Sequence, residues 1–240
     1  MEMLLLLFAA VLPGIILWIY IKKKDAVNPE PQNQMQKAFG YGCLSVIIAM
    51  AVELVFEQAV SSMADSMLKG VLTAFCVAAI PEEAAKLFCL WRFFKKCKFY
   101  DEYLDGIVYS VCVGLGFATI ENIGYLIGTG DWLITGIFRG VFSVPGHYAF
   151  AIIMGYYYSL YHFDKYHNEK YKSMILVAPV IAHGIYDSLL MVVPSAPGFI
   201  SVILVVAFLY FNRKMHKFCS AKIEDLQQRD QADPFVSLRQ

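Results

Sequence analysis

The run FCVAAIPEEAAKLFCLW, residues 75–91, sets Glu82, Glu83 and Lys86 in the middle of an otherwise apolar stretch. A bilayer core of about 30 Å is crossed by about 20 mostly apolar helical residues. A charged side chain near its centre costs about 2.5–3.5 kcal/mol on insertion scales. A chain that keeps three such groups in one span must turn them towards an interior where they meet partners. This one segment therefore predicts a bundle of membrane helices with a polar site inside it.

The rest of the chain agrees. It is 58% hydrophobic with only 17% charged residues, and its mean hydropathy is +0.54, outside the range of soluble domains. Its 20 basic and 20 acidic residues leave no net charge, which excludes the global basic field of a nucleic-acid binder. Seven segments are long and apolar enough to span, at 3–21, 38–60, 68–91, 104–128, 137–161, 173–193 and 198–212. The expected fold is all-α, a polytopic transmembrane helix bundle of about seven spans, with residues 1–212 as one membrane domain and 213–240 as a flexible polar tail. The first segment has an acidic start, no small-residue cleavage site and Lys22, Lys23 and Lys24 behind it, so it reads as a retained anchor. Alternate connections hold seventeen basic residues against two, Lys69 and Arg139. The positive-inside rule then puts the N-terminus outside and the C-terminus in the cytoplasm. Cys43, Cys76, Cys89, Cys97, Cys112 and Cys219 lack any paired spacing and read as small buried hydrophobes.

Within the spans lie Glu82, Glu83, Lys86, Glu121, His147, His183 and Asp187. At 1.5 Å per residue, Glu82 sits about 20 Å from the outer end of its span, Glu121 about 10 Å, and both histidines about 15 Å. Four helices thus bring ionisable groups to similar depths. Lys86 is one turn from both glutamates, so it can pair with one while the other faces a cavity as general base. Phe117 and Glu121 share a helix face, and Gly114, Gly116, Gly124 and Gly128 permit close helix approach there. Asp187 stands one turn beyond His183 and can fix its tautomer. Pro145 and Gly146 loosen the helix before His147, as Pro81 does before Glu82. Glu53 and Glu57, near a helix end, read as snorkelling side chains. His162 and His167 read as solvated, and Gly136-x-x-x-Gly140 as a helix-packing motif.

Such a set supplies bases, proton donors and ligand atoms, the needs of peptide hydrolysis. Neither G-x-S-x-G nor H-E-x-x-H is present. The residues admit glutamate-activated water or a bound Zn²⁺, with His147, His183 and Glu121 as candidate ligands, although no compact motif demands a metal. An ion-coupled transporter and a non-catalytic membrane scaffold are the competing classes.

Glu-Glu-x-x-Lys at 82–86, Phe-x-x-x-Glu at 117–121, His147 within Ser143-Val144-Pro145-Gly146-His147, and His-x-x-x-Asp at 183–187 occur in that order, and together they resemble the PrsW family. That family is similar in turn to the CAAX-prenyl and bacteriocin-processing membrane proteases. The resemblance implies an intramembrane endopeptidase of a bacterial cytoplasmic membrane, making the first, extracytoplasmic-side cut in a single-pass anti-sigma factor during a stress response. It makes Glu82 or Glu83 the base and His147 its partner, and has His183 with Asp187 polarise the scissile carbonyl. Lys86, Phe117 and Glu121 are then supporting residues.

Overall fold

The computed structural model describes residues 2–163 and 169–232. Among them every regular element is helical. The order is α1 (Glu2–Lys24), α2 (Gln32–Ser61), α3 (Met67–Leu72), a π-helical turn (Thr73–Ala79) and α4 (Ile80–Phe94), then α5 (Tyr103–Gly128) and α6 (Trp132–Phe138). A second π-helical turn (Arg139–Ser143), α7 (Val144–Phe163), α8 (Glu169–Met191), a 3-10 turn (Val193–Ser195) and α9 (Gly198–Ala232) complete it. Because α3 runs through the first wide turn into α4, and α6 through the second into α7, these elements make seven rods. Six are long and apolar enough to cross a membrane. The seventh, Met67–Phe94, carries Glu82, Glu83 and Lys86.

Both wide turns have the same local cause. Pro81 and Pro145 each stand two residues beyond one. Proline has no N–H to give the carbonyl four residues back, and its ring crowds that carbonyl. Here those carbonyls belong to Val77 and Val141, inside the π turns. The rods bulge instead of breaking, with Ile80 N–H reaching back five residues to the Phe75 carbonyl and Val144 N–H to that of Arg139. Such bulges are frequent at functional sites, and each of these opens just before a site residue.

The central rod is α5, which packs against α1, α2, α7 and α9. Its apolar window is 89% buried against 22% for α1, the mark of a helix that is apolar all round and surrounded by others. Close approach depends on small residues. A Cβ on Gly155 of α7 would lie 2.3 Å from the Gly106 carbonyl oxygen of α5, and one on Gly116 of α5 would lie 2.1 Å from that of Phe39 on α2. Gly114 is likewise closely packed, but Gly124 and Gly128 have nothing within 4 Å, so the expected glycine face stops at Gly116. Gly136 and Gly140 pack within the chain, facing Ala9 and Pro13 of α1.

Residues 213–232 depart from the expected flexible tail. They continue α9 as one helix, with Met215, Cys219, Ile223 and Leu226 buried. Those four recur at helical spacing within a polar sequence and lay one apolar face on the bundle; residues 233–240 lie outside the described residues. The end of α9 is fastened to the same face as the ends of α1 and α4 and the starts of α2 and α5. The Asp230 carboxylate accepts the Tyr103 and Leu104 N–H groups at 2.7 and 2.9 Å, capping α5. Gln227 Nε2 donates to the Lys24 carbonyl at 2.6 Å, and Tyr156 Oη to Asp225 at 2.8 Å.

In the turn between α1 and α2, Asp25 is buried and accepts the Glu30 N–H at 2.8 Å, while Tyr109 Oη donates to the Glu30 carboxylate. Burial raises the Asp25 pKa to about 7, with the charges of Glu30, Glu102 and Asp230 adding to the rise against the lowering effect of that hydrogen bond. Glu30 is raised too, again chiefly by burial.

Two outcomes are expected. Gly155→Ala costs about 1–3 kcal/mol of stability by overpacking, read from unfolding in detergent, whereas Gly124→Ala stays within about 0.5 kcal/mol. Since folded Asp25 binds its proton at higher pH than the unfolded chain does, folding takes up protons between the ordinary carboxylate range and about pH 7. Stability therefore rises as pH falls through about 7, and Asp25→Asn flattens that rise in a pH series of melting temperatures.

Candidate active site

Four rods meet at one buried cluster. From α4, Lys86 Nζ donates to Glu82 Oε2 at 3.0 Å and to Glu83 Oε1 at 2.8 Å. It also reaches His147 Nδ1 of α7 at 3.1 Å. An ammonium has no lone pair to offer, so His147 Nδ1 is the acceptor and its Nε2 carries the proton. That Nε2 donates to Glu121 Oε2 of α5 at 2.9 Å. On α8, His183 has a carboxylate at each nitrogen, with Glu83 Oε1 2.9 Å from Nδ1 and Asp187 Oδ2 3.1 Å from Nε2. Phe117 lies beneath the Lys86 ammonium, 3.9 Å from ring centroid to Nζ. Phe150 stacks on the His183 ring with centroids 4.5 Å apart.

The structure thus brings together Glu82, Glu83, Lys86, Phe117, Glu121, His147, His183 and Asp187. It does not divide the two glutamates as expected, since both bind Lys86. Residues three and four positions before a lysine flank it on the helix surface, and its ammonium settles between them. Their exposures do differ. Glu82 lines a cavity of about 470 Å³ together with Glu121, His147, His183 and Asp187, while the Glu83 side chain is 0% exposed and its Oε2 has no partner among the described residues. With Asp187 at Nε2, His183 has Nδ1 alone, 2.9 Å from Glu83 Oε1, to offer to a further group.

The ligand atoms of Glu82, Glu83, His147 and His183 all lie within 4.8 Å of one another. Glu121 does not belong to that group. It stands on the far side of the His147 ring, as Asp187 stands on the far side of His183. Each imidazole so turns Nδ1 to the glutamates and Nε2 to an outer carboxylate, the arrangement by which carboxylates orient metal-binding histidines. Imidazole and carboxylate ligands backed by further carboxylates suit zinc, and the buried Glu83 Oε2 is an acceptor with no hydrogen-bond donor among the described residues, its lone pairs free for a cation. The residues fit a metal.

The sequence reading placed Arg139 in an outer loop, but the structure puts it at the site. Its Nη2 lies 2.6 Å from Glu121 Oε2. Its Nε donates to Asn122 Oδ1 at 2.6 Å, and its guanidinium covers the Tyr125 ring at 3.9 Å. The signal available in the sequence was Pro145, whose bulge re-aims the residues before it. Tyr186, flanking Asp187, donates from Oη to the Phe142 carbonyl in the second π turn at 2.9 Å. Glu53 is half-buried and Glu57 exposed. His162 ends α7 with its ring stacked on Tyr100 at 4.6 Å, and His167 lies outside the described residues.

Residues 30–212 match the family described as PrsW family intramembrane metalloprotease. The chain is 38% identical to Protease PrsW of Clostridioides difficile (strain 630) over 192 residues, 78% of this chain and 79% of that protein. It is 37% identical to Protease PrsW of Geobacillus kaustophilus (strain HTA426), covering 78% and 80% of the two chains. To Protease PrsW of Bacillus subtilis (strain 168) it is 34% identical, covering 78% and 84%. No solved structure matches.

Glu83→Ala is expected to cost about 3–5 kcal/mol, because Lys86 and His183 lose a shared buried counter-charge, whereas the exposed Glu57→Ala stays within about 0.5 kcal/mol. Denaturant midpoints in one detergent compare the two directly.

Proposed function

This chain belongs to the PrsW family of intramembrane proteases, and from that membership we propose that it makes the first, extracytoplasmic-side cut in a membrane-spanning anti-sigma factor. The observation that carries the chemistry is the convergence of Glu82, Glu83, His147 and His183, with Glu82 and both histidines on the wall of a cavity that also has apolar side chains such as Phe138, Phe142, Val205 and Leu209. Apolar walls suit a transmembrane segment, and a carboxylate at their inner end suits the activation of water.

His147, His183 and Glu83 would hold a zinc ion, the two-histidine, one-glutamate set of many catalytic sites. When bound, the metal supplies an acidified water and Lewis acidity towards the scissile carbonyl. Glu82, which faces the cavity, is the general base. Its carboxylate accepts a proton as water oxygen bonds to the peptide carbon, and returns that proton to the leaving amine nitrogen as the C–N bond breaks. Glu121 holds the Nε2 proton of His147 and Asp187 that of His183, so each ring keeps one tautomer and orientation throughout. Asp187 thus acts through His183 and not on the substrate.

The multi-pass chain would lie in a bacterial cytoplasmic membrane with its N-terminus outside and residues 213–240 in the cytoplasm, as the excess of basic residues on one side favours. That the ends of α1, α4 and α9 share one face with the starts of α2 and α5 supports such alternation.

The test is cleavage of candidate single-pass anti-sigma factors reconstituted with wild type or the Glu82→Ala, Glu83→Ala double variant, with fragments identified by mass. A cut near the outer face, made by wild type alone, abolished by chelation and restored by zinc, is the expected result. Cleavage that survives prolonged chelation would overturn the metal assignment, and no cleavage across the panel by folded wild type would overturn the function.

A further inference from the structure

Glu121 has an unusual task for a carboxylate inside a membrane protein. It accepts from His147 Nε2, yet His147 in its Nδ1-accepting tautomer brings no charge to balance a carboxylate there. Lys86, the nearest cation on α4, is already bonded to Glu82, Glu83 and the other nitrogen of His147. The charge that meets Glu121 comes from Arg139, whose Nη2 is 2.6 Å from the very oxygen, Oε2, that His147 uses.

Arg139 is itself braced from three directions. Its Nε donates to Asn122 Oδ1 at 2.6 Å. Asn122 Nδ2 donates in turn to the Ala10 carbonyl of α1 at 3.2 Å, which fixes which way the amide faces. The Tyr125 ring lies under the guanidinium, its centroid 3.9 Å from Cζ. Glu121, Asn122 and Tyr125 come from a single turn of α5, and the π turn before α7 delivers Arg139 to them. The Arg139 side chain is 16% exposed and lines the cavity, and its buried Nη2, though close to Glu121, is not aligned to donate to it. A planar fork held by an amide, a ring and a carboxylate is a specific demand that a point charge meets only in part.

We propose that Arg139 is the positioning residue of the site: it holds Glu121 in place as the carboxylate that orients His147, and acts on the reaction only through them. The inference rests on the protease reading above. It is also distinct from substrate docking, which would show in KM, and from simple support of the fold, which neither a replacement cation nor an added one would restore.

The experiment measures kcat and KM for a transmembrane anti-sigma segment that the wild type cleaves, using purified Arg139→Ala, Arg139→Lys and Asn122→Ala, each with its thermal midpoint. Loss of an outer partner of this kind typically costs about 10–100-fold in activity. Arg139→Ala is expected to lose kcat in that range with KM within about 3-fold, Arg139→Lys to recover part of it, and added methylguanidinium to restore Arg139→Ala but not Glu121→Ala. Asn122→Ala should lose kcat in the same sense and to a smaller degree. If Arg139→Ala does not fold, Arg139→Lys and Asn122→Ala carry the test alone. Unchanged kcat in the folded variants, a change in KM alone, or a loss that follows the thermal midpoint and ignores both lysine and methylguanidinium overturns the proposal. A wild type that cleaves no segment fails at the earlier step, and so separates the protease reading from the role of Arg139.

Discussion

Everything in this bundle answers to one constraint: a charge inside a membrane protein must find its partner within the protein. Lys86 is where that constraint is met most completely. Its ammonium takes two carboxylates from its own helix, an imidazole from α7 and the face of Phe117 from α5. Two of those partners are tied to a further group, Glu83 to His183 and His147 to Glu121. The contacts form a single connected network, in which removal of one member strands the next.

Two prolines let the backbone serve that network. A regular helix through residues 67–94 or 132–163 would present its side chains in unbroken rotation. A π turn accommodates one extra residue, which swings everything on one side of it by about 100° relative to the other. Glu82 and Glu83 follow the first such turn and His147 the second, while Arg139 lies within the second. The rigid reference for both is α5, held by close glycine contacts from Gly106 to Gly116 and capped at its start by Asp230.

Much of this was legible in the residues, and the rest was hidden for physical reasons. Apolar runs give helical rods directly, and charges in such runs have nowhere to go but inward, so the gathering of Glu82, Glu83, Glu121, His147, His183 and Asp187 could be read from depth alone. Depth carries no azimuth, however. It could not tell that both glutamates share Lys86, or that Glu121 stands behind His147 instead of beside the glutamates. Arg139 was misplaced because a residue near a span's end looks solvated until the bulge turns it inward. The packed helix after Arg213 was missed because four apolar residues spread over three turns leave the local composition polar.

The network also has a sum. Four carboxylates, Glu82, Glu83, Glu121 and Asp187, face two permanent cations, Lys86 and Arg139, so with neutral imidazoles and ionised carboxylates the network holds a surplus of two negative charges. In surroundings of low permittivity such a surplus is not left standing. Protons on the imidazoles or a divalent ion restore electroneutrality. A site so composed takes up its protons or its ion as a condition of keeping four carboxylates together inside a membrane protein, so its occupancy and its stability are bound to one another.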